Sequence, residues 1–155
     1  MRNEVRMNKP SIQECCQRLL PDPKQKQGML NLLEFLQGLK LKPLWYHKTS
    51  FKCNYKSQRV LYINFISGNR LRLRVCTVGD AHGIGNMELY LQAIPQDLRD
   101  EFANYQANIH PCDIHTTCVE DCERTRSYYI TSPTPAQFTW VEKFILARMA
   151  FIDMG

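Results

Sequence analysis

The stretch from Phe51 to Val75 constrains this chain most, because apolar and polar residues alternate through it across two turn clusters. In a strand, successive side chains point to opposite faces, so a slip of one residue would exchange the buried set for the solvated one. Ser67, Gly68 and Asn69 suit a three-residue hairpin loop, in which one residue must take a positive φ. That loop sets Phe65 opposite Leu71, Ile63 opposite Leu73 and Leu61 opposite Val75. A two-residue loop would instead mix arginines into the apolar set. Treating Lys56, Ser57 and Gln58 as a second odd loop puts Phe51 beside Ile63 and Cys53 beside Leu61, on the same apolar face. The two choices are independent and agree, so an antiparallel meander is expected over about residues 50–78.

The opposite face of these hairpins pairs Ile66 with Arg70, Asn64 with Arg72 and Tyr62 with Arg74. Lys52, Lys56, Tyr62, Arg70, Arg72 and Arg74 then share one surface, the layout of a platform for an anion or a single nucleic-acid strand. A solvated outer face, or one paired with acidic parts of the chain, is the plainer alternative. Charge is divided along the sequence in the same sense. Residues 35–79 hold nine basic side chains and no acidic one, whereas residues 80–123 hold nine acidic side chains and only Arg99 as a base. The overall charge of +5 and pI near 8.9 fall short of a strongly basic nucleic-acid binder.

Helices account for most of the remainder. Ser11 with Glu14 three residues on forms a capping box, so a short helix runs from Ser11 to about Leu20 and ends before Pro21 and Pro23. Lys24 to Gly38 carries Met29, Leu30, Leu32, Leu33, Phe35 and Leu36 on a broad apolar face, with Gly38 placed to end it. Residues 86–93 read as a short helical stretch, and Pro95 opens another through about Ile109, with Leu98, Phe102 and Tyr105 spaced by four and three. Tyr128 to Thr131 is a later strand, and Thr134 and Pro135 cap a last helix from Ala136 to Ile152. Trp45, Tyr46, Phe51 and Trp140 read most simply as core, with Trp45 and Tyr46 at the sheet entrance able to line a pocket. The fold class expected is α+β: the meander plus a later strand, with its apolar face covered by N-terminal, central and C-terminal helices. A length of 155 residues suits one domain, expected over residues 11–155 behind a flexible lead of residues 1–10. That lead lacks the apolar run of a signal peptide, and no window approaches a membrane span, so a cytoplasmic protein is expected.

Trp45-Tyr46, followed by Phe51-Lys52-x-x-Tyr55-Lys56 into a hairpin, the Pro95-x-x-Leu98 helix and the Thr134-Pro135-x-x-Phe138 helix together resemble a group of small uncharacterised bacterial proteins. These are broadly similar to the YdhG-type domains of unknown function. The resemblance covers about residues 33–152 and implies a fold more than an activity.

Seven cysteines, an odd number, suggest thiols or metal ligands rather than a disulfide framework. His110, Cys112, His115, Cys118 and Cys122 fall within thirteen residues on an expected loop. Cys112, His115, Cys118 and Cys122 form the preferred set for a structural zinc, although only Cys118 to Cys122 has knuckle spacing. Incidental loop thiols and a redox role are the alternatives. Asp80 and His82 beside Gly83-Ile84-Gly85 could supply a general base, yet the third glycine of a dinucleotide loop is missing. Cys76 stands near the arginines, where a positive field would favour a thiolate. No catalytic constellation emerges, so the reading is a non-enzymatic binding domain whose partner is an anionic small molecule, a nucleic acid or an acidic protein surface. A single-strand-binding accessory protein and a small thiol- or metal-dependent enzyme are the alternatives.

Overall fold

A computed structural model describes residues 9–76, 92, 94–108 and 127–153. Helices α1 (Ile12–Leu19) and α2 (Pro23–Gly38) lead into strands β1 (Leu44–His47), β2 (Ser50–Tyr55), β3 (Gln58–Ile66) and β4 (Arg70–Cys76). Helix α3 (Gln96–Asn108), strand β5 (Ser127–Thr131) and helix α4 (Pro135–Asp153) follow. The five strands form one antiparallel sheet in the order β1-β2-β3-β4-β5, an α+β fold built on a meander. Among the described residues, no helix is long and apolar enough to cross a membrane.

The β3–β4 hairpin has the register that the alternation dictates: Phe65 pairs with Leu71, Ile63 with Leu73 and Leu61 with Val75. Gly68 and Asn69 supply the positive φ, at 82° and 54°. The β2–β3 hairpin corrects the expected loop. Tyr55 pairs with Gln58, so the loop has two residues, Lys56 and Ser57, with φ of 50° and 66°. Positive φ at both positions is the type I′ geometry, whose twist matches that of the flanking strands. Left alone, this shorter loop would throw the alternation out of phase. The register shifts between Cys53 and Asn54, whose partners are Leu61 and Arg59, leaving Val60 as an extra residue on β3. This β-bulge restores Phe51 to Ile63 and Cys53 to Leu61, and it buries Val60 and Leu61 together.

Helices close one side of the sheet. Leu61, Ile63, Leu71, Leu73 and Val75 from the strands join Ile12, Met29, Leu32, Leu36, Leu98, Phe138, Val141, Phe144 and Ile145 in one core cluster. Gly28 on α2 lies so close to the Phe138 ring on α4 that a Cβ there would overlap it. Capping boxes start α1 and α4: Ser11 with Glu14, and Thr134 with Gln137. Helix α2 ends in a Schellman motif, with Leu41 N–H donating to Leu36 O and Lys40 N–H to Gln37 O. Lys40, with φ of 61°, takes the left-handed position, so Gly38 is the last helical residue and not the one that turns the chain.

Arg148 on α4 is 1% exposed, an unusual burial for a guanidinium. Its Nε donates to Arg59 O at 3.2 Å and its Nη2 to Gln58 Oε1 at 3.4 Å. A bulge frees backbone groups from the ladder, and Arg148 supplies the donor that this one requires.

Candidate functional site

The side of the sheet away from the helices is built by residues that the pleat turns outward. Lys52, Tyr62 and Arg74 stand in line across β2, β3 and β4, and Tyr129 continues the row on β5. One step along, Ser50, Asn64, Arg72 and Thr131 form a second row. Arg70 is exposed at the β4 end, with its Nε donating to Ser67 O at 3.2 Å. Of the six residues expected on this face, Lys52, Tyr62, Arg70, Arg72 and Arg74 are there.

Lys56 is not. The two-residue turn carries it to the helix side, where Nζ meets Asp153 Oδ1 at 2.6 Å and Tyr55 Oη donates to the same carboxylate at 2.9 Å. The hydrogen bond from Lys56 holds Asp153 below the usual carboxylate range, and the same bond pushes Lys56 up.

The bulge that displaces Lys56 delivers Arg59 in its place. With a three-residue loop Arg59 would share the core face with Leu61. With the extra residue it pairs with Asn54 and turns outward. Its Nε donates to Asn54 Oδ1 at 2.7 Å and its Nη1 to Tyr62 Oη at 2.6 Å. The signal in the sequence is Val60, an apolar residue that the simpler register sends into solvent.

Rings and cations interleave around Tyr62. The guanidinium of Arg59 lies 4.9 Å from its ring centroid and that of Arg74 lies 4.6 Å away, with Arg74 also 5.6 Å from the Tyr129 ring. Tyr46 on β1, 40% exposed, has its ring 5.9 Å from that of Tyr62, and Lys52 Nζ stands 5.7 Å from the Tyr46 centroid. Tyr46 is therefore not the core residue that the sequence suggests, because an edge strand of four residues is too short to show its face by alternation. Its neighbour Trp45 is the one turned inward, packing against the core opposite Phe51.

None of the five strands contains an Asp or Glu. On the helix side, Lys56 pairs with Asp153 and Lys143 with Asp97. On the outer face, Lys52, Arg59 and Arg74 lie against ring quadrupoles, each such contact contributing about 0.5–1 kcal/mol at exposed sites. A ring steadies a cation without cancelling its charge, so the strands themselves contribute positive potential to this surface.

No protein-family model, curated protein or solved structure matches the chain. Function has to be argued from the chemistry of its surfaces.

The thiol chemistry considered from sequence finds no support in the described cysteines. Cys15, Cys16 and Cys53 are free thiols, and they and Cys76 are buried. Burial pushes Cys16 up to about 11 and Cys53 up to about 12, and it raises Cys15 in the same direction. These three groups are protonated at neutral pH and poor nucleophiles. Cys76 is 5% exposed at the end of β4, where the alternation puts it on the same face as Arg72 and Arg74. The candidate zinc ligands Cys112, His115, Cys118 and Cys122, with His110, lie outside the described residues, as do Asp80, His82 and the adjoining glycines. Among the described residues, no three His, Cys, Asp or Glu side chains gather where they could hold a metal ion.

A hollow of about 670 Å³ lies along α1, α2 and the segment leading to β1. Its wall mixes Ile12, Leu30 and Leu41 with Gln27, Asn31 and Gln37, and Gln27 already donates to Asn31. Amides that satisfy one another supply little convergent polarity, so the outer face of the sheet is the stronger candidate.

Proposed function

We propose that this protein is a non-enzymatic binding domain that presents the outer face of its sheet to an anionic ligand. The observation that carries the reading is the way the cations are held. Arg59 and Arg74 are braced against Tyr62, and Lys52 against Tyr46, while all five strands are free of carboxylates. Bracing long side chains in advance lowers the entropy that a ligand must remove on binding, since ordering a flexible side chain costs about 0.5–1.5 kcal/mol. Arg72, outward beside Asn64, adds a planar fork suited to phosphate or carboxylate oxygens.

Retention on a heparin column tests this directly, because heparin offers dense anionic charge and no aromatic ring. The wild-type protein is expected to elute well above the salt concentration that releases proteins of similar net charge, and Arg72→Glu to elute earlier by a clear margin. Equal elution of Arg72→Glu and of a control reversal on the helix side, Lys143→Glu, would remove the outer face as the binding surface.

A further inference from the structure

We infer that the anionic ligand of the outer face is single-stranded nucleic acid, with a base stacked on Tyr46. This rests on the anion-binding reading above and deepens it. Three features of the sheet narrow the ligand.

The first is the lack of a backbone cradle. A small free anion is usually cradled by converging backbone N–H groups at a concave turn or helix start. In β2, β3 and β4, backbone groups are committed to ladder pairing on both sides, so this face offers side chains only. An array of separate side-chain cations suits a polymer whose charges repeat.

The second is width. Five strands about 4.8 Å apart span roughly 19 Å. The major groove of a DNA duplex is about 12 Å wide and admits a helix or a two-stranded ribbon. The outer face is too broad to enter it, whereas a single strand can lie across it.

The third is the interleaving of rings. An acidic protein surface would be served by lysines and arginines alone. Here Tyr46 is an exposed ring at the edge of the cation row, beside Lys52 and Tyr62. Phenol rings and guanidinium planes are the two side-chain surfaces on which unpaired bases stack. Lys52, Arg59, Arg70 and Arg72 flank that row and would meet phosphates.

Fluorescence anisotropy with labelled dodecamers of oligouridine and oligothymidine, alongside a duplex of the same length and heparin retention, tests the assignment. Binding of either single strand is expected, with the logarithm of affinity falling against the logarithm of salt at a slope of about −2 to −3 for three or four phosphates. Preference for uridine would assign RNA, and equal binding would assign single strands of both kinds. Tyr46→Leu is expected to weaken strand binding by roughly 5- to 150-fold, the range that stacking of one base supplies. Tyr46→Phe should retain both strand binding and heparin retention, because its ring still braces Lys52, whereas Tyr46→Leu, which removes that brace, should lower heparin retention much less than strand binding. Heparin retention without strand binding, a preference for duplex, or an unchanged Tyr46→Leu would overturn the nucleic-acid assignment and leave the anion-binding reading standing. Loss of both strand and heparin binding in the folded wild-type protein would overturn both.

Discussion

The two faces of the sheet are made from the same strands and obey opposite rules. Inward, Leu61, Ile63, Leu71, Leu73 and Val75 are fully buried against four helices, and volume decides which residues fit. Outward, Lys52, Arg59, Tyr62, Arg72 and Arg74 crowd together without a carboxylate on any strand. Across the strands these cations stand opposite rings and neutral polar groups and not opposite one another: Lys52 and Arg74 face Tyr62, Arg59 faces Asn54 and Arg72 faces Asn64. The inner face is where the apolar packing that stabilises the fold resides, and the outer face is where the strands gather their cations.

Substitutions on neighbouring positions of β4 should separate the two roles most sharply. Leu73→Ala removes a fully buried side chain and is expected to lower unfolding free energy by about 2–5 kcal/mol in urea titrations. Arg72→Ala, one residue away and facing out, is expected to change it by no more than about 0.5 kcal/mol while weakening anion binding. Equal destabilisation by the two would erase the distinction between the faces.

Arg148 links them. It reaches from α4 to the bulge whose extra residue turns Arg59 outward onto Tyr62. Arg148→Met keeps most of the side-chain volume but leaves the Arg59 carbonyl without this donor, at an expected loss of about 1–3 kcal/mol in the same titrations. Heparin retention should fall as well, because Arg59 would lose the support for its position. Stability lost with retention unchanged would make Arg148 a purely internal tie.

A smaller effect of opposite sign is expected at Asn64, whose Oδ1 lies buried between Ser50 and Arg72 with no hydrogen-bond partner among the described residues. Asn64→Val removes that unmet acceptor and places a strand-favouring residue there, for an expected gain of about 1 kcal/mol by thermal or urea unfolding. A loss would mean that Asn64 already serves the fold.

The meander was legible from sequence because period-two alternation allowed only one phase that buries Leu61, Ile63, Leu71, Leu73 and Val75 together. The helix starts were legible for a related reason: Ser11 with Glu14 and Thr134 with Pro135 satisfy backbone donors in ways that residue types alone reveal. The bulge was not, since two loop lengths can produce the same register downstream and only Val60 distinguishes them. Lys56 and Arg59 exchanged places for that single reason. Arg148 was hidden because a lone arginine within an apolar helix reads as the solvated position of that helix, and its partner is a backbone carbonyl 89 positions away in the chain.

The most direct test of the division between faces is to map backbone amide shifts by NMR while inorganic polyphosphate is added to the folded protein. Shifts concentrated at Lys52, Arg59, Tyr62, Arg72 and Arg74, with α2 and α4 unmoved, are expected. Shifts concentrated instead along α1 and α2, or spread evenly over the surface, would contradict a binding role for the outer face of the sheet.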